Sequence, residues 1–502
     1  MADESGLSPY IFACKGGLVL DQSTFDIQPG MALELQNFEP DIKGGYRRIS
    51  GYEKWNTNVV PYTASSTEKV LMSAYFKGDI IAARGEDIYK ASSGSGAWTQ
   101  IDTGRTGAGK YTHFRYSLAG TEYIAWADGA NHASKYDGTT VTDLNATGAP
   151  ANPQYVVGFK NTLFFAGHSA NTEEVVFTAP YTDDDFSVAN GAGSIAVDSK
   201  ITGLFPFRDA LYIFCEERIF KLVGNSSADF VLQPVTREIG CVNGFTIQEF
   251  AGDIVFLGPD GLRTIAGTER IGDVELGTIS RQVQPRFEGL TDVDEFDSLI
   301  IPDKTQYRIF FSNANNTRAL TTGVIAVRKG DAYEFADIRG IRPSCTDFIT
   351  AQGESIVVHG EYDGYVYRQE QGNDFDGNTI TGKYRSPDLS MGDAGIRKAF
   401  QRIIINYAPE AAVNADLFVR YDYESPNVPR PAAYPFDTTT VVAIYGTSIY
   451  GTATYGGQSN PLYRQPIEGS GFAVALRVND RGVSAPYSLK GFQLEFSAAA
   501  RR

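Results

Sequence analysis

The feature of this 502-residue sequence that most constrains its fold is an internal repeat with a spacing of 40 to 53 residues. Each copy has an apolar residue, a short polar turn, a run of apolar β-forming residues and a second turn that contains Gly or Asp. One copy reads AYFKGDIIAARGEDIYK from Ala74, and another reads EFAGDIVFLGPDGLRTI from Glu249. The polar turns of the seven copies are marked by Asp79, Thr121, Asn161, Asp209, Asp253, Gln306 and Glu354.

This spacing predicts an all-β fold with a β-propeller, because propeller blades of four strands occupy about 40–50 residues each. A single four-stranded blade cannot bury both of its faces, so blades stack around an axis and each covers its neighbour. The seven copies predict about seven blades, or six if one copy is a false match. An irregular pair of β-sandwiches with hairpins at similar spacing is the alternative that the repeat leaves open.

The repeat stops near residue 386, and the chain beyond it alternates apolar and polar residues as half-buried strands do. FQRIIINYAP, ADLFVRYDYES and FAVALRVND are three such segments. They predict a β-sandwich-like domain at residues 386–502, after a propeller at 61–385 and an N-terminal segment at 1–60 that joins or closes the propeller. Within the propeller, Leu276–Leu290 is the best candidate for a short helix, and Pro285 is expected to end it.

The C-terminal domain also contains IYGTSIYGTATYGG, in which Tyr445, Tyr450 and Tyr455 recur every five residues. A period of five matches neither one face of a helix nor one face of a strand. The pattern therefore predicts an exposed β-loop or hairpin, which is a candidate tip loop with a role in an interface. A Gly-, Thr- and Tyr-rich surface loop without a special role is the alternative.

The formal charge of −16 argues against a protein that wraps nucleic acid, because such binding depends on clustered Lys and Arg. It leaves open a protein that DNA merely passes, since an acidic wall does not hold phosphate. The four cysteines are scattered and have no histidine at metal-ligand spacing, which favours buried free thiols. We see neither a signal peptide nor a run of 18 apolar residues, so we expect no membrane span.

Two motifs resemble functional loops but lack the residues that their chemistry requires. GRTGAGK at Gly104–Lys110 has phosphate-loop spacing, but Tyr111 follows where a magnesium-binding Ser or Thr is needed. DFDGNTITGKYR places acidic residues at alternate positions from Asp374, but Thr379 and Arg385 stand where an EF-hand has Gly and Glu. We therefore predict no catalytic, cofactor-binding or metal-ligating residue, and no enzyme activity.

One stretch, ALELQNFEPDIKGGYRRISGYEKW, resembles the N-terminal segment of tail proteins of tailed bacteriophages, in which NF-P precedes a GG-x-R-R-x-x-GY turn. GLRTIAGTERIGDVELGTISRQVQ, GEYDGYVYRQEQGNDFDGNTI and the closing YGTSIYGTATYGG…SLKGFQLEF are similar to the same class. In this order, they resemble the tail nozzle or hub of short-tailed phages, the packaged-DNA stabilisation class. The resemblance covers roughly a quarter of the chain.

The resemblance implies a virion protein, assembled in the host cytoplasm, that forms a homo-hexameric tube in the phage tail below the portal-adaptor ring. Tail fibre or tip proteins are its further expected partners. The resemblance also implies that DNA passes through the lumen without sequence-specific binding, is retained there, and is released at ejection. Tyr46, Arg47, Arg48 and Tyr52 follow Gly44-Gly45 and are candidate subunit-interface residues, because Tyr and Arg are enriched at interfaces. The alternative is that they pin the N-terminal segment to its own propeller.

Two other functions remain open from the sequence. One is a propeller enzyme that acts on glycans of the host surface, since paired carboxylates are not excluded by spacing. The other is a receptor-binding tail protein that recognises such glycans. Neither has a sequence motif in its favour.

Overall fold

The computed structural model of the chain describes residues 7–23, 26–62, 68–266, 278–288, 290, 295–312, 321–351, 353–410, 412–428, 430–438, 462–482 and 484–498. Strands make up most regular structure in these ranges. The strands of the N-terminal segment are Ser8–Ala13 (β1), Glu34–Gln36 (β2), Phe38–Pro40 (β3), Tyr46–Arg48 (β4) and Tyr52–Lys54 (β5). The 3-10 turns include Val188–Asn190, Gly244–Thr246, Arg281–Arg286, Pro302–Lys304 and Asp422–Glu424.

The predicted β-propeller is confirmed, and six of its blades are separate sheets. Blade 1 is Val70–Phe76 (β6), Asp79–Arg84 (β7), Asp87–Ala91 (β8) and Thr99–Asp102 (β9). Blade 2 is Thr112–Leu118 (β10), Thr121–Ala127 (β11), Ser134–Tyr136 (β12) and Val141–Asp143 (β13). Blade 3 is Tyr155–Phe159 (β14), Thr162–His168 (β15), Asn171–Phe177 (β16) and Gly193–Ala196 (β17). Blade 4 is Ile201–Phe207 (β18), Ala210–Cys215 (β19), Ile219–Val223 (β20) and Val231–Thr236 (β21).

The remaining blades differ from this regular pattern. Blade 5 is Gln248–Phe250 (β22), Asp253–Gly258 (β23) and Gly261–Thr264 (β24). A meander follows, formed by Glu295–Ile301 (β25), Gln306–Ser312 (β26), Thr322–Lys329 (β27) and Ala332–Arg339 (β28). Blade 6 is Pro343–Ala351 (β29), Glu354–Glu361 (β30) and Val366–Gln369 (β31), and β5 of the N-terminal segment is its fourth strand.

The ring closes between blade 6 and blade 1, where β29 packs on β6. The meander lies between blade 5 and blade 6, because β25 packs on both β22 and β29. It occupies a blade position but belongs to a larger sheet, since its last strand pairs with β2 and continues into the C-terminal domain. The copy of the repeat marked by Gln306 is this meander, which explains why seven copies accompany six separate blades.

In blades 1 to 5, the turn that joins the first two strands is a tight hairpin at the predicted marker. Asp79, Thr121 and Asp253 each begin the second strand, and Asn161 and Asp209 directly precede it. Residues at these turns have positive φ, as at Lys77-Gly78 (50° and 96°), which matches the hairpin turns that suit the twist of strands. All of these turns lie on one face of the propeller, here called the hairpin face.

Basic side chains on the hairpin face connect successive blades. Lys160 Nζ of blade 3 lies 3.3 Å from Asp209 Oδ1 of blade 4. The Arg208 guanidinium of blade 4 donates a hydrogen bond of 2.8 Å to the Gly252 carbonyl of blade 5. Both acceptors occupy the second turn position of the next blade, so the repeat supplies a contact between blades as well as within them.

The C-terminal strands form two facing sheets together with strands of the N-terminal segment. These strands are Lys383–Arg385 (β32), Lys398–Pro409 (β33), Asn414–Tyr421 (β34), Tyr434–Asp437 (β35), Leu462–Pro466 (β36), Ser470–Gly471 (β37), Val474–Asp480 (β38) and Tyr487–Ala498 (β39). The first sheet has the order β3-β4-β39-β33-β36, with β1 on β39 and β37 on β33. The second has the order β28-β2-β32-β38-β34-β35, and so extends the meander.

The two sheets pack through aromatic rings on their facing sides. Tyr384 of the second sheet stacks on Phe492 of the first, with ring centroids 5.6 Å apart and planes at 6°. Phe400 stacks on Tyr421 in the same way, at 5.4 Å. The core of this sandwich is continuous with the buried residues of the meander, so the propeller and the sandwich share one hydrophobic cluster.

Candidate functional site: the joint between propeller and sandwich

The sequence GGYRRISGY lies where the propeller and the sandwich meet. Gly44 and Gly45 form the turn between β3 and β4 with φ of 85° and 87°, values that glycine adopts without strain. A Cβ on Gly45 would lie 2.4 Å from the Leu489 carbonyl oxygen, so this position also has no room for a side chain. The turn therefore brings the following aromatic and basic residues directly against the first sandwich sheet.

Tyr46 is fully buried inside the sandwich. Its hydroxyl donates a 2.6 Å hydrogen bond to the Gly30 carbonyl and accepts a 3.0 Å hydrogen bond from the Gly17 amide. Burial raises the pKa of this hydroxyl well above its ordinary value, so it remains a neutral hydrogen-bonding group. Tyr46 thereby ties β4 to the loop that precedes β2.

Arg48 is also fully buried, and it spans from β4 to the end of β38. Its Nε lies 3.5 Å from Asp480 Oδ2, and its guanidinium donates a hydrogen bond to the Ser484 carbonyl. Burial lowers the pKa of Arg48 and raises the pKa of Asp480, since both charged forms lose water. This pair fixes β4 to the C-terminal strands at the cost of desolvating two charges.

Tyr52 anchors the strand that completes blade 6. Its ring stacks on Phe375 with centroids 5.0 Å apart and contacts His359 and Tyr367 edge-on at 5.0 and 4.8 Å. Gly51 precedes it, and a Cβ there would lie 1.8 Å from the Asp374 carbonyl oxygen. The start of the segment Asp374–Arg385, which has calcium-like spacing, therefore packs directly on the closing strand.

Arg47 is the partly exposed member of the predicted group and belongs to a network of buried charges. Its Nε and one terminal nitrogen bind both carboxylate oxygens of Glu410 at 2.7 and 2.9 Å. The other terminal nitrogen lies 3.3 Å from Glu39 Oε1. Glu410 belongs to the C-terminal domain, so Arg47 connects that domain to the N-terminal strand β3.

Glu39 is the centre of this network, and only 2% of its side chain is exposed. Its Oε1 lies 2.6 Å from Lys304 Nζ, and its Oε2 lies 3.1 Å from the Arg308 guanidinium. Both cations also bind Glu370 of blade 6, at 2.5 and 2.6 Å. Burial alone would raise the pKa of Glu370, but Lys304 and Arg308 outweigh it and hold this pKa below its ordinary value.

The charged groups in the centre of the propeller are likewise paired within the chain. Lys110 Nζ, at the end of the phosphate-loop-like motif, lies 2.8 Å from Asp297 Oδ2 and 4.1 Å from the Phe245 ring centroid. Asp347 accepts hydrogen bonds from His113 at 3.1 Å and from Arg115. Lys110, His113, Phe245 and Asp297 line a cavity of about 300 Å³ in the centre of the propeller.

The predicted interface residues thus lie in two different settings. Tyr46, Arg48 and Tyr52 have no exposed surface, and the contacts described above are all within the chain, as the pinning alternative describes. Arg47 retains 19% exposure beside a cavity of about 540 Å³ between the domains. The tip-loop residues Tyr445, Tyr450 and Tyr455 lie outside the described residues. The sequence analysis missed Glu39, Lys304 and Arg308, although Glu39 stands in the quoted NFEP segment.

Within the described ranges, no group of three or more His, Cys, Asp or Glu side chains is placed to hold a metal ion. In the same ranges, no helix has the length and apolar character needed to cross a bilayer. All four cysteines are buried free thiols.

Comparison with known proteins gives only distant structural likenesses. No family model matches the chain, and no curated protein matches it. The extracellular domain of the one-component system BT4673 from B. thetaiotaomicron is 8% identical, with a TM-score of 0.40 over 64% of this chain and 40% of that one. The AfRom2 CNH domain is 11% identical, with a TM-score of 0.38 over 63% of this chain and 99% of that one. BBS1N in complex with ARL6 is 8% identical, with a TM-score of 0.27 over 59% of this chain and 76% of that one.

Proposed function

We propose that the chain is a structural protein of a short-tailed phage tail, a nozzle or hub. Six copies would form a channel below the portal-adaptor ring that retains packaged DNA and opens for ejection. One observation supports this proposal most directly. The segment that resembles phage tail proteins, ALELQNFEPDIKGGYRRISGYEKW, contains the aromatic, basic and glycine residues that join the propeller to the sandwich. A wall segment that must withstand load needs its domains held as one unit.

The distribution of charge along the chain supports a role as the wall of a channel through which DNA passes. Residues 61–385 contain 42 acidic and 28 basic residues, whereas residues 386–502 contain 10 acidic and 11 basic residues. The negative charge therefore belongs to the propeller and not to the C-terminal domain. An acidic surface repels the phosphate backbone and so lets a duplex slide past.

Side chains fill the centre of the propeller. This supports a DNA channel that runs between the subunits of the proposed ring and not through the middle of one propeller. Lys110 and Asp297, which form an ion pair, line the central cavity, and so does His113, which pairs with Asp347. A cavity of about 300 Å³ has no room for a DNA duplex. In the proposed assembly, DNA follows the symmetry axis of the ring, and the portal-adaptor and the tail fibre or tip proteins bind its two ends.

Antibody labelling of phage particles tests this proposal directly. An antibody against the purified chain is expected to decorate the tail below the portal in negative-stain images, and mass measurement is expected to find hexamers. Labelling confined to other structures would contradict the nozzle assignment. Turnover of bacterial surface polysaccharide by the purified protein would favour the enzyme alternative instead.

A further inference from the structure

The outer face of the first sandwich sheet has an unusual composition for a surface exposed to water. Two rows of this face cross strands β36, β33, β39 and β1, and the pairing register defines them. The rows are Arg464, Ile404, Gln493 and Ile11, and Pro466, Arg402, Glu495 and Pro9. Exposed faces of antiparallel sheets are normally polar, but half of these residues are Ile or Pro. Ile11 is 70% exposed.

A second exposed apolar patch lies on the propeller, at the boundary between blades 3 and 4. Tyr181, Val188 and Val231 are 72%, 78% and 52% exposed. Their loops adjoin, because a Cβ on Gly191 would lie 3.5 Å from Ser227 Oγ. We call this surface the blade 3–4 patch.

The two surfaces have opposite charge. The sandwich face carries Arg402, Arg464 and Glu495, a net charge of +1, within a C-terminal domain that has one more basic than acidic residue. The blade 3–4 patch lies in blades 3 and 4, residues 155–236, which contain 10 acidic and 5 basic residues. These two blades therefore supply about a third of the net charge of −14 of residues 61–385. Two copies that met through their propellers would repel each other, whereas sandwich against propeller is attractive.

The sandwich face and the blade 3–4 patch lie too far apart to bind each other within one copy of the chain. The sandwich attaches to the meander and blade 6, through β28 pairing with β2 and through β5 pairing with β31. Blade 3 is three positions away from the meander and from blade 6 in either direction around the ring. The two surfaces thus lie on opposite sides of the molecule, and contacts between different copies run head to tail. Such heterologous contacts build closed rings when the rotation closes.

We propose that the outer face of the sandwich sheet binds the blade 3–4 patch of a second copy of this chain. Ile11 and Ile404 meet Tyr181, Val188 and Val231, and the arginines face the acidic surroundings of that patch. The closure of these contacts into a ring rests on the proposed function, but the contact itself follows from charge and exposed apolar surface.

A charge exchange tests the pairing. Arg464→Glu reverses a charge that has no ion-pair partner among the described residues, and Val188→Lys adds a positive charge at an exposed position. Asp185 and Asp229 are left unchanged, because their carboxylates accept hydrogen bonds from loop amides. Each variant alone is expected to associate at least tenfold more weakly than the wild type in sedimentation velocity. An equimolar mixture of the two restores association, since the carboxylate introduced in one variant then faces the ammonium group introduced in the other.

Lys43→Glu is the matched control, because Lys43 is exposed in the β3–β4 turn, outside both surfaces, and undergoes the same charge change. It is expected to associate like the wild type. A wild-type protein that stays monomeric, an unchanged Arg464→Glu variant, or a mixture that fails to recover would each overturn the proposed contact. Antibody labelling of the tail is independent of these results. If tails are labelled but the oligomer does not respond to the substitutions, the nozzle function is supported and this contact is wrong. If the oligomer responds but tails are not labelled, the contact is supported and the nozzle function is wrong.

Discussion

Replacing Glu39 by glutamine is expected to destabilise the joint strongly. The substitution keeps the shape of the side chain but removes the negative charge that faces Arg47, Lys304 and Arg308 at 2.6 to 3.3 Å. Arg308 has no exposed side-chain surface, so water cannot replace the lost carboxylate. Removing one partner of a buried ion pair costs about 3–5 kcal/mol. Because Glu370 still pairs with Arg308, we expect the lower end, about 3 kcal/mol.

Urea unfolding followed by tryptophan fluorescence measures this loss. The chain has three tryptophans, Trp55, Trp98 and Trp126, and Trp55 lies beside the closing strand β5. The matched control is Glu354→Gln, which breaks the pair of Glu354 with Arg368 at 2.9 Å where Glu354 is 69% exposed. Exposed pairs contribute about 0–1 kcal/mol, so the control is expected to unfold close to the wild type.

Salt provides a second measurement on the same variants. Exposed charges are screened at 1 M salt, where the Debye length is about 3 Å, while buried pairs are screened much less. The difference between wild type and Glu39→Gln should therefore persist at high salt. Equal shifts of the urea midpoint for Glu39→Gln and Glu354→Gln would refute the view that Glu39 is the centre of the joint.

Three further changes have defined expected outcomes. Gly51→Ala places a Cβ 1.8 Å from the Asp374 carbonyl oxygen and should reduce the yield of soluble protein, whereas Gly44→Ala, with free space around it, should cost only about 1 kcal/mol in urea unfolding. Burial alone would raise the pKa of Asp347, but Arg115 and His113 lower it to about 2 from 3.8, so its contribution is complete above pH 4 and is lost as the pH falls towards 2. Asp347→Asn should remove this acid-dependent stability, of which about 1 kcal/mol falls between pH 5 and pH 3, so the change in urea midpoint between these two pH values should be smaller in the variant. The four buried thiols should be unreactive towards a thiol reagent in the native protein and all four should react in urea; fast native labelling would contradict their burial.

The propeller could be predicted from the sequence because its signal is local. A tight hairpin needs residues that tolerate positive φ, and the repeat supplies them at Lys77-Gly78 and Ala251-Gly252. The markers Asp79 and Asp253 are therefore the first residues of second strands. The spacing could not show that the meander belongs to a larger sheet, since this depends on pairing between Gln36 and Asp337, which lie far apart in the sequence.

Leu276–Leu290 was expected to contain a short helix that ends at Pro285. Its described part contains the 3-10 helix Arg281–Arg286, which has a kink at Val283 and ends one residue after this proline. The fixed φ of proline near −65° suits a 3-10 helix, which is why the last turn includes it. Of the predicted segment, only residues 278–288 and 290 are described.

The joint shows why composition alone does not distinguish an interface from a core. Tyr and Arg are enriched at subunit interfaces because they combine apolar area with hydrogen bonding. The same properties suit Tyr46 and Arg48, which fill the contact between two domains of one chain and have no exposed surface. Only long-range pairing, such as that of Arg47 with Ser488, reveals that these residues are covered by their own chain.

A ring built from this chain would not use Tyr46, Arg48 or Tyr52 at its subunit contacts, because these side chains have no exposed surface. If the segment that resembles phage tail proteins makes each subunit rigid, the contacts between subunits are formed by other surfaces, which remain exposed and apolar after folding. The net negative charge of the propeller restricts the choice further, because copies repel wherever acidic blades face each other. The sandwich face with Ile11 and Arg464 satisfies both conditions, and the blade 3–4 patch is the acidic apolar surface on the opposite side. In the proposed ring, rigidity and assembly thus depend on different residues of the same chain.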